Sequence, residues 1–318
     1  MLLAPVAMHI PDGFVSGPVL VVLWLASIVA IAYALRRTGR DLGERQVPLI
    51  GVLAACIFAG QMLNFPISGG TSGHLLGGAI ATILLGPWAA MLVLTCVVSV
   101  QALLFQDGGL LALGSNLFNM ALISVAVSYM VYRALWRVTA GRRWGVPVAG
   151  FVAAWTSIFV ASLAAALELA LSGTAPANIA VPAMASVHAL IGIGEGLITV
   201  GALAFISATR PDLLKIGAAP QRGGRFVWLA GLVIAIILAV LSPLASQNPD
   251  GLEWVAEQYG FLSKQQAPSF TIIPDYSMPG ISNQALATIV AGVVGTLVVF
   301  AVALAVAHMR RSRPTAGS

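Results

Sequence analysis

The chain has 318 residues, of which 59% are hydrophobic and 8% charged, with a formal net charge of +5 and a mean hydropathy of +0.95. A soluble domain carries roughly 25% charged residues, so so few charges cannot clothe a globular surface in water. A cytosolic enzyme, a nucleic-acid binder and a disordered scaffold are thereby excluded, and the composition predicts an all-α, polytopic bundle of membrane helices.

Apolar runs long enough to cross a bilayer are read at 18–35, 48–65, 87–105, 111–132, 146–171, 181–208, 226–244 and 285–307. A ninth run, 73–85, is too short to span unless it tilts or packs as a buried half-helix. Gly and Pro mark the joins at Gly69-Gly70, Gly86-Pro87 and Gly108-Gly109. The expected architecture is about seven N-terminal spans followed by a two-span C-terminal module.

Basic residues collect after alternate spans. Arg36, Arg37, Arg40 and Arg45 follow the first run, and Arg133, Arg137, Arg142 and Arg143 the fifth. Arg210, Lys215, Arg222 and Arg225 follow the seventh, and Arg310, Arg311 and Arg313 close the chain. These clusters hold 15 of the 16 basic residues, and nine crossings put all of them on one side. Positive loops stay cytoplasmic, so the expected setting is the inner or plasma membrane, with the N-terminus outside and the C-terminus in the cytoplasm. The basic excess is topology and not a nucleic-acid site. On the opposite side, segment 245–284 carries Asp250, Glu253, Glu257 and Asp275 against Lys264 and reads as an extramembrane element.

Cys56 and Cys96 sit inside apolar runs, which leaves no disulfide framework and no CxxC site. Of the four histidines, His308 falls beside the terminal arginines. His9 and His74 fall on the outer side, each next to a Gly-rich connection, and imidazole is a good ligand for Ni, Cu, Co and Zn. Two such histidines can also be incidental. If the chain begins at Met8, however, its amine, the His9 backbone nitrogen and the His9 ring chelate in sequence, and His74 completes four nitrogens in a plane. That geometry favours Ni(II) or Cu(II) over tetrahedral Zn(II).

The opening MHIPDGF resembles the start of the CbiM/NikM substrate-capture proteins of energy-coupling factor (ECF) cobalt and nickel transporters. The runs NFPISGGTSGHLLGGAIATILLGPWAAMLV, ALGSNLFNMALI and VHALIGIGEGLIT resemble the same family in order, over about residues 8–210. NPDGLEWVAEQYGF with the last span resembles the small NikN-like companion subunit and its PDGLE signature. The resemblance implies a metal-binding membrane domain at 8–210, a cytoplasmic basic linker at 211–225 and a NikN-like module at 226–318.

It also implies that the metal is carried by Met8, His9 and His74, with Asp12, Asn116 and Asn119 supporting the loops around it. Seven residues precede Met8, and a mis-assigned start or trimming after Ala7 is expected to free its amine. Asn116 and Asn119, three apart on one helix face, suit either those loops or interhelical bonds. His188 and Glu195 share a face of the seventh span and suit a structural His–Glu pair or a helix-packing role rather than a proton relay. Glu168 reads as interfacial, and Asp107 as a loop carboxylate near the entrance.

The function implied is capture of a divalent ion, nickel in preference to cobalt, with no resident cofactor. The only lysines, Lys215 and Lys264, sit in no Gly-Lys-Ser/Thr motif, so no ATPase site is present and the chain is not read as an enzyme. The implied partners are a membrane coupling (T) subunit, ABC ATPase subunits and the lipid bilayer, with no nucleic acid. The alternatives are the same role for cobalt, as supply for cobalamin biosynthesis, or a stand-alone secondary transporter or channel. A membrane-embedded enzyme ranks last, because neither HExxH nor GxSxG occurs.

Overall fold

The computed structural model describes residues 9–41, 47–139, 142, 144–214 and 224–310. Met8 and residues 215–223 of the expected linker lie outside the described residues. Every apolar run read from the sequence is helical. In chain order these are α1 (Gly17–Asp41), α2 (Val47–Gln61), α3 (Gly78–Leu85) and α4 (Pro87–Val100). There follow α5 (Leu113–Leu117), α6 (Ser124–Val138), α7 (Gly145–Leu171), α8 (Ala177–Thr209), α9 (Gly224–Leu241), α10 (Gly251–Gln258) and α11 (Gln284–Arg310).

Six stretches among the described residues are long and apolar enough to cross a membrane: Gly17–Thr38, Pro87–Phe105, Leu113–Val138, Gly145–Leu171, Ala177–Thr209 and Gln284–Met309. Val47–Gln61 and Trp228–Leu244 are shorter apolar helices. α3 has 8 residues, all buried, and is the half-helix that its short apolar run suggested. The bundle shows its apolar side outward where lipid would lie: Val21, Leu25 and Val29 on α1 are all more than half exposed. α9 and α11 pack on α2 by way of glycines. A Cβ on Gly231 would meet Val52, and one on Gly295 would strike Phe58 and Phe105, so the helices approach only because those side chains are absent.

One feature corrects the all-α expectation. Phe65–Ile67 (β1) and Thr71–Gly73 (β2) pair antiparallel, with Phe65 opposite Gly73. Gly69 and Gly70 turn the chain between them at φ 97° and 79°, a region that other residues enter only under strain. An aromatic, a β-branched Ile and a Thr flank that turn, which is strand chemistry in three residues a side.

Two π-helical stretches flank the connection 106–112: Gln101–Phe105 extends α4, and Phe118–Ile123 joins α5 to α6. Such widened turns occur where a helix adjusts around a site. α5–α6 and α8 start at the end of the bundle that holds this connection, and α1 starts there too. Their arginine-bearing ends, at Arg36, Arg133 and Arg210, lie at the other end.

Candidate metal centre

Five segments meet at that end of the bundle: 9–13 before α1, β2 with His74, the 106–112 connection, the start of α8, and segment 245–276. His9, His74, His188 and Asp250 line one cavity of about 90 Å³ together with Ile10, Leu76, Asn116 and Asn119. The His9 and His74 ring centroids are 5.5 Å apart and the rings are perpendicular. The structure thus brings together the two histidines singled out in the sequence, although 64 positions separate them.

Each ring is anchored. His9 is buried, with Nδ1 3.2 Å from Asp107 Oδ1 and 3.3 Å from the Asp107 carbonyl, while its Nε2 is buried without a hydrogen-bond partner. His74 Nδ1 lies 3.1 Å from the Leu75 carbonyl. A chelate shared between the His9 ring and its own backbone nitrogen closes a six-membered ring only through Nδ1. That mode requires the ring to give up Asp107, whereas the orphaned Nε2 requires no such exchange.

Burial opposes charge on His9, but the Asp107 carboxylate, by charge and by hydrogen bonding, more than offsets it and holds the imidazole above its ordinary value. Burial opposes the Asp107 charge as well; His9, and then the Tyr276 hydroxyl, outweigh that and hold the carboxyl low. Tyr276 donates to Asp107 Oδ2 at 2.6 Å, stacked on Phe105 at a centroid distance of 4.6 Å. A hydrogen-bonded acid behind an imidazole is the arrangement that fixes ring orientation in metal sites. At Asp250, by contrast, burial outweighs the Glu253 amide and His9 and pushes the carboxyl up to about 8.

The supporting residues sort into two groups. Asp12 accepts from the Leu110 amide at 3.1 Å and from the Ala112 amide at 2.9 Å, which fixes the turn into α5. Asn116 bonds both backbone groups of Ile10, the residue next to His9. Asn119 instead donates to Glu168 at 3.0 Å, and Ser115 donates to the same carboxylate oxygen. Of the two roles open to these asparagines, Asn116 therefore holds a site loop and Asn119 ties α7 to the π-helical turn between α5 and α6. Glu168 is buried and not interfacial, because those two donors receive it.

His188 and Glu195 form no pair. Glu195 accepts from the Leu76 and Gly77 amides at 2.5 and 3.0 Å, and so holds the chain just after His74. His188 Nδ1 is turned to the Met184 carbonyl at 2.9 Å, one helical turn back.

The C-terminal segment roofs the site. Ser72 donates from its amide to the Pro249 carbonyl at 2.8 Å and from its hydroxyl to the Asn248 carbonyl at 2.9 Å. The Gln266 amide donates to the Asp12 carbonyl and the Ile273 amide to the Leu104 carbonyl, at 2.8 and 2.9 Å. Gly251 allows a close approach: a Cβ there would lie 2.8 Å from Ile191 Cδ1 and 3.0 Å from His188 Cε1. Asp250, Tyr276 and the His9-facing role of Asp107 were not assigned to the site from the sequence. Asp250 carried a signal in its Pro-Asp-Gly turn; Tyr276, placed by a left-handed turn at φ 50°, carried none.

Among the described residues, no three His, Cys, Asp or Glu side chains converge closely enough to hold an ion by themselves.

Comparison with known proteins gives a consistent outcome. Residues 9–213 match the family described as CbiM, cobalt uptake substrate-specific transmembrane region, and residues 225–312 match the PDGLE domain. The chain is 39% identical over 311 residues to the "Putative fused nickel transport protein NikMN" of Archaeoglobus fulgidus, covering 96% of this chain and 100% of that one. It is 35% identical to the fused nickel transport protein NikMN of Rhodobacter capsulatus, covering 86% and 84%. It is 33% identical to the cobalt transport protein CbiM of Sorangium cellulosum, covering 65% of this chain and 94% of that one. A crystal structure of a transition metal transporter superposes with a TM-score of 0.57 at 33% identity, covering 63% of this chain and 92% of the other.

Proposed function

The chain belongs to the CbiM family of cobalt-uptake substrate-specific membrane proteins and carries a PDGLE domain, and on that premise we propose that it is the metal-capturing component of an ECF-type importer. It takes a divalent ion from the outer face of the plasma membrane. His9 and His74 hold the ion together with the Met8 amine, and a T subunit and a pair of ABC ATPases drive its release inward. The observation that carries this reading is the approach of the buried His9 ring to the perpendicular ring of His74, 5.5 Å away between centroids, on one shared cavity.

Nickel is the proposed cargo. A planar set of nitrogens suits Ni(II), and relatives that cover 86–96% of the chain are named for nickel, while relatives named for cobalt cover 50–74% of it. Reconstitution in liposomes tests the reading. Uptake of nickel is expected only when the T and ATPase subunits and ATP are supplied, and equal uptake by the chain alone would replace it with a secondary transporter. Competition between the two ions in the complete transporter tests the cargo, with preferential cobalt uptake overturning nickel.

A further inference from the structure

The cavity lined by His9 and His74 presents three further donors that the proposed capture chemistry does not use: Met120, Met184 and His188. Met120 comes from the π-helical stretch Phe118–Ile123, and the other two stand one turn apart on the same face of α8. α7 gives the cavity only apolar side chains and one serine hydroxyl, and no Lys or Arg lines it among the described residues.

His188 is held as a ligand would be. A carbonyl oxygen only accepts, so in the neutral ring Nδ1, 2.9 Å from the Met184 carbonyl, carries the proton and Nε2 keeps the lone pair. A hydrogen bond on the far nitrogen fixes tautomer and orientation in metal-bound imidazoles. Met120 and Met184 are both buried, so their sulfurs are shielded from lipid. A thioether is polarizable, and its rotatable bonds let the sulfur reach an ion without a backbone shift. All three donors are neutral. The cost of burying an ion scales with the square of its charge, so one positive charge meets about a quarter of the cost of two. Thioether sulfur also selects soft ions such as Cu(I) over harder divalent ones.

We propose that Met120, Met184 and His188 Nε2 form a second metal site, for a soft monovalent cation of the Cu(I) class, in the cavity shared with the capture pair. Two cations within a cavity of about 90 Å³ repel, so an ion held there excludes nickel and makes capture sensitive to soft metals. The exclusion rests on the reading of His9 and His74 as nickel ligands; the soft site itself does not.

Silver(I), a soft monovalent ion that does not change its oxidation state in air, is the probe. The full chain in detergent first carries Cys56→Ala and Cys96→Ala, which remove both thiols, and His9→Ala and His74→Ala, which remove the capture imidazoles. This chain is expected to bind one silver ion, with sulfur and nitrogen neighbours in its X-ray absorption spectrum. Met120→Leu, Met184→Leu and His188→Phe are close in volume to the residues they replace, so packing is retained. Each is expected to weaken silver binding by about tenfold or more. Should the fourfold variant not fold, the same spectrum is read on the chain lacking only the cysteines, where any sulfur neighbour is a thioether.

A spectrum without sulfur, or silver affinity unchanged by both methionine substitutions, overturns the site. Nickel titration at fixed free silver tests the exclusion in the chain that retains His9 and His74. Silver is expected to weaken nickel binding there, and Met184→Leu to relieve the effect; no relief overturns the exclusion. If the chain without His9 and His74 binds nickel normally, the capture reading falls while the silver result stands by itself.

Discussion

Ile10 and Asn116, 106 residues apart, exchange two hydrogen bonds: the Ile10 amide donates to Asn116 Oδ1, and Asn116 Nδ2 donates to the Ile10 carbonyl, each at 3.0 Å. The side-chain amide thus acts as a strand partner for one residue and fixes the backbone immediately after His9. Replacing Asn116 by Ala leaves two buried backbone groups unpaired, at about 1–3 kcal/mol each. Nickel affinity is expected to fall by about tenfold or more, since support groups of this kind tune metal affinity by about 10–100-fold. Asn119→Ala removes a bond to Glu168 instead. It is expected to lower thermal stability and to leave nickel affinity within about twofold in calorimetry. Equal effects of both variants on affinity would contradict this division of roles.

The His9–Asp107 pair links stability and binding to pH in opposite directions. His9 is held above its ordinary value, so its contribution to stability is full below about pH 6.5 and is lost as pH rises through the folded-state value. Asp107 is held low, so its contribution is present above about pH 3.9 and is lost as pH falls through the lowered value. The metal-free chain gains most from the pair between those limits. Nickel needs an unprotonated His9, so its affinity is expected to rise with pH by up to about tenfold per unit below the His9 folded-state value, and further as the Met8 amine and the His9 backbone nitrogen lose their protons. Titration in a series of buffers reads this directly. An affinity constant from pH 5 to 8 would remove His9 from the ligand set.

Gly251 permits the contact between the PDGLE loop and α8. A methyl group there lies 2.8 Å from Ile191 Cδ1 and 3.0 Å from His188 Cε1 and Val187 Cγ1, so these side chains or the loop must shift to admit it. Gly251→Ala is expected to lift α10 from the site, to expose segment 245–276 to protease and to reduce metal uptake by the complete transporter. Gly280→Ala is the control. Unlike Gly251 it has positive φ, 83°, but nothing lies within reach of its Cβ, so it carries backbone strain without steric displacement at the site. Protection of the loop in Gly251→Ala equal to that of the unmodified chain would show that the contact is not needed for docking.

How far the sequence went can be argued from these same residues. The helices were legible because lipid demands long apolar runs, and α1 to α11 fall on those runs or on the PDGLE segment. His9 and His74 were legible because ligand chemistry restricts residue type and because glycines surround them. The β1–β2 hairpin escaped because three-residue strands carry too little periodicity to register. Glu195 and Glu168 were misread for a different reason. A carboxylate in a membrane helix declares that it needs donors, but not whether they come from a side chain seven residues away or from the amides of Leu76 and Gly77. Tyr276 reaches Asp107 only through a pair of residues, Asp275 and Tyr276, at φ near 50°, and nothing in Pro-Asp-Tyr announces that turn.

The proposed part of the Met8 amine makes the last prediction. His9 and His74 supply two nitrogens, and among the described residues no His, Cys, Asp or Glu joins them to form a group of three. An amine directly before His9 supplies the third, and the His9 backbone nitrogen, once deprotonated, a fourth. In that planar mode the ion takes His9 Nδ1 and Asp107 is released from the ring to stand as counter-charge. A chain beginning at Met8 is therefore expected to bind nickel at least as tightly as the longer one, with an X-ray absorption spectrum of four nitrogens in a plane. Extra residues fixed ahead of Met8, in a form no peptidase removes, are expected to abolish tight binding, because a peptide nitrogen has neither the basicity nor the freedom of an amine. Undiminished affinity in the blocked chain would leave only the two-imidazole mode through Nε2, with Asp107 still on Nδ1, and would remove Met8 from the ligand set.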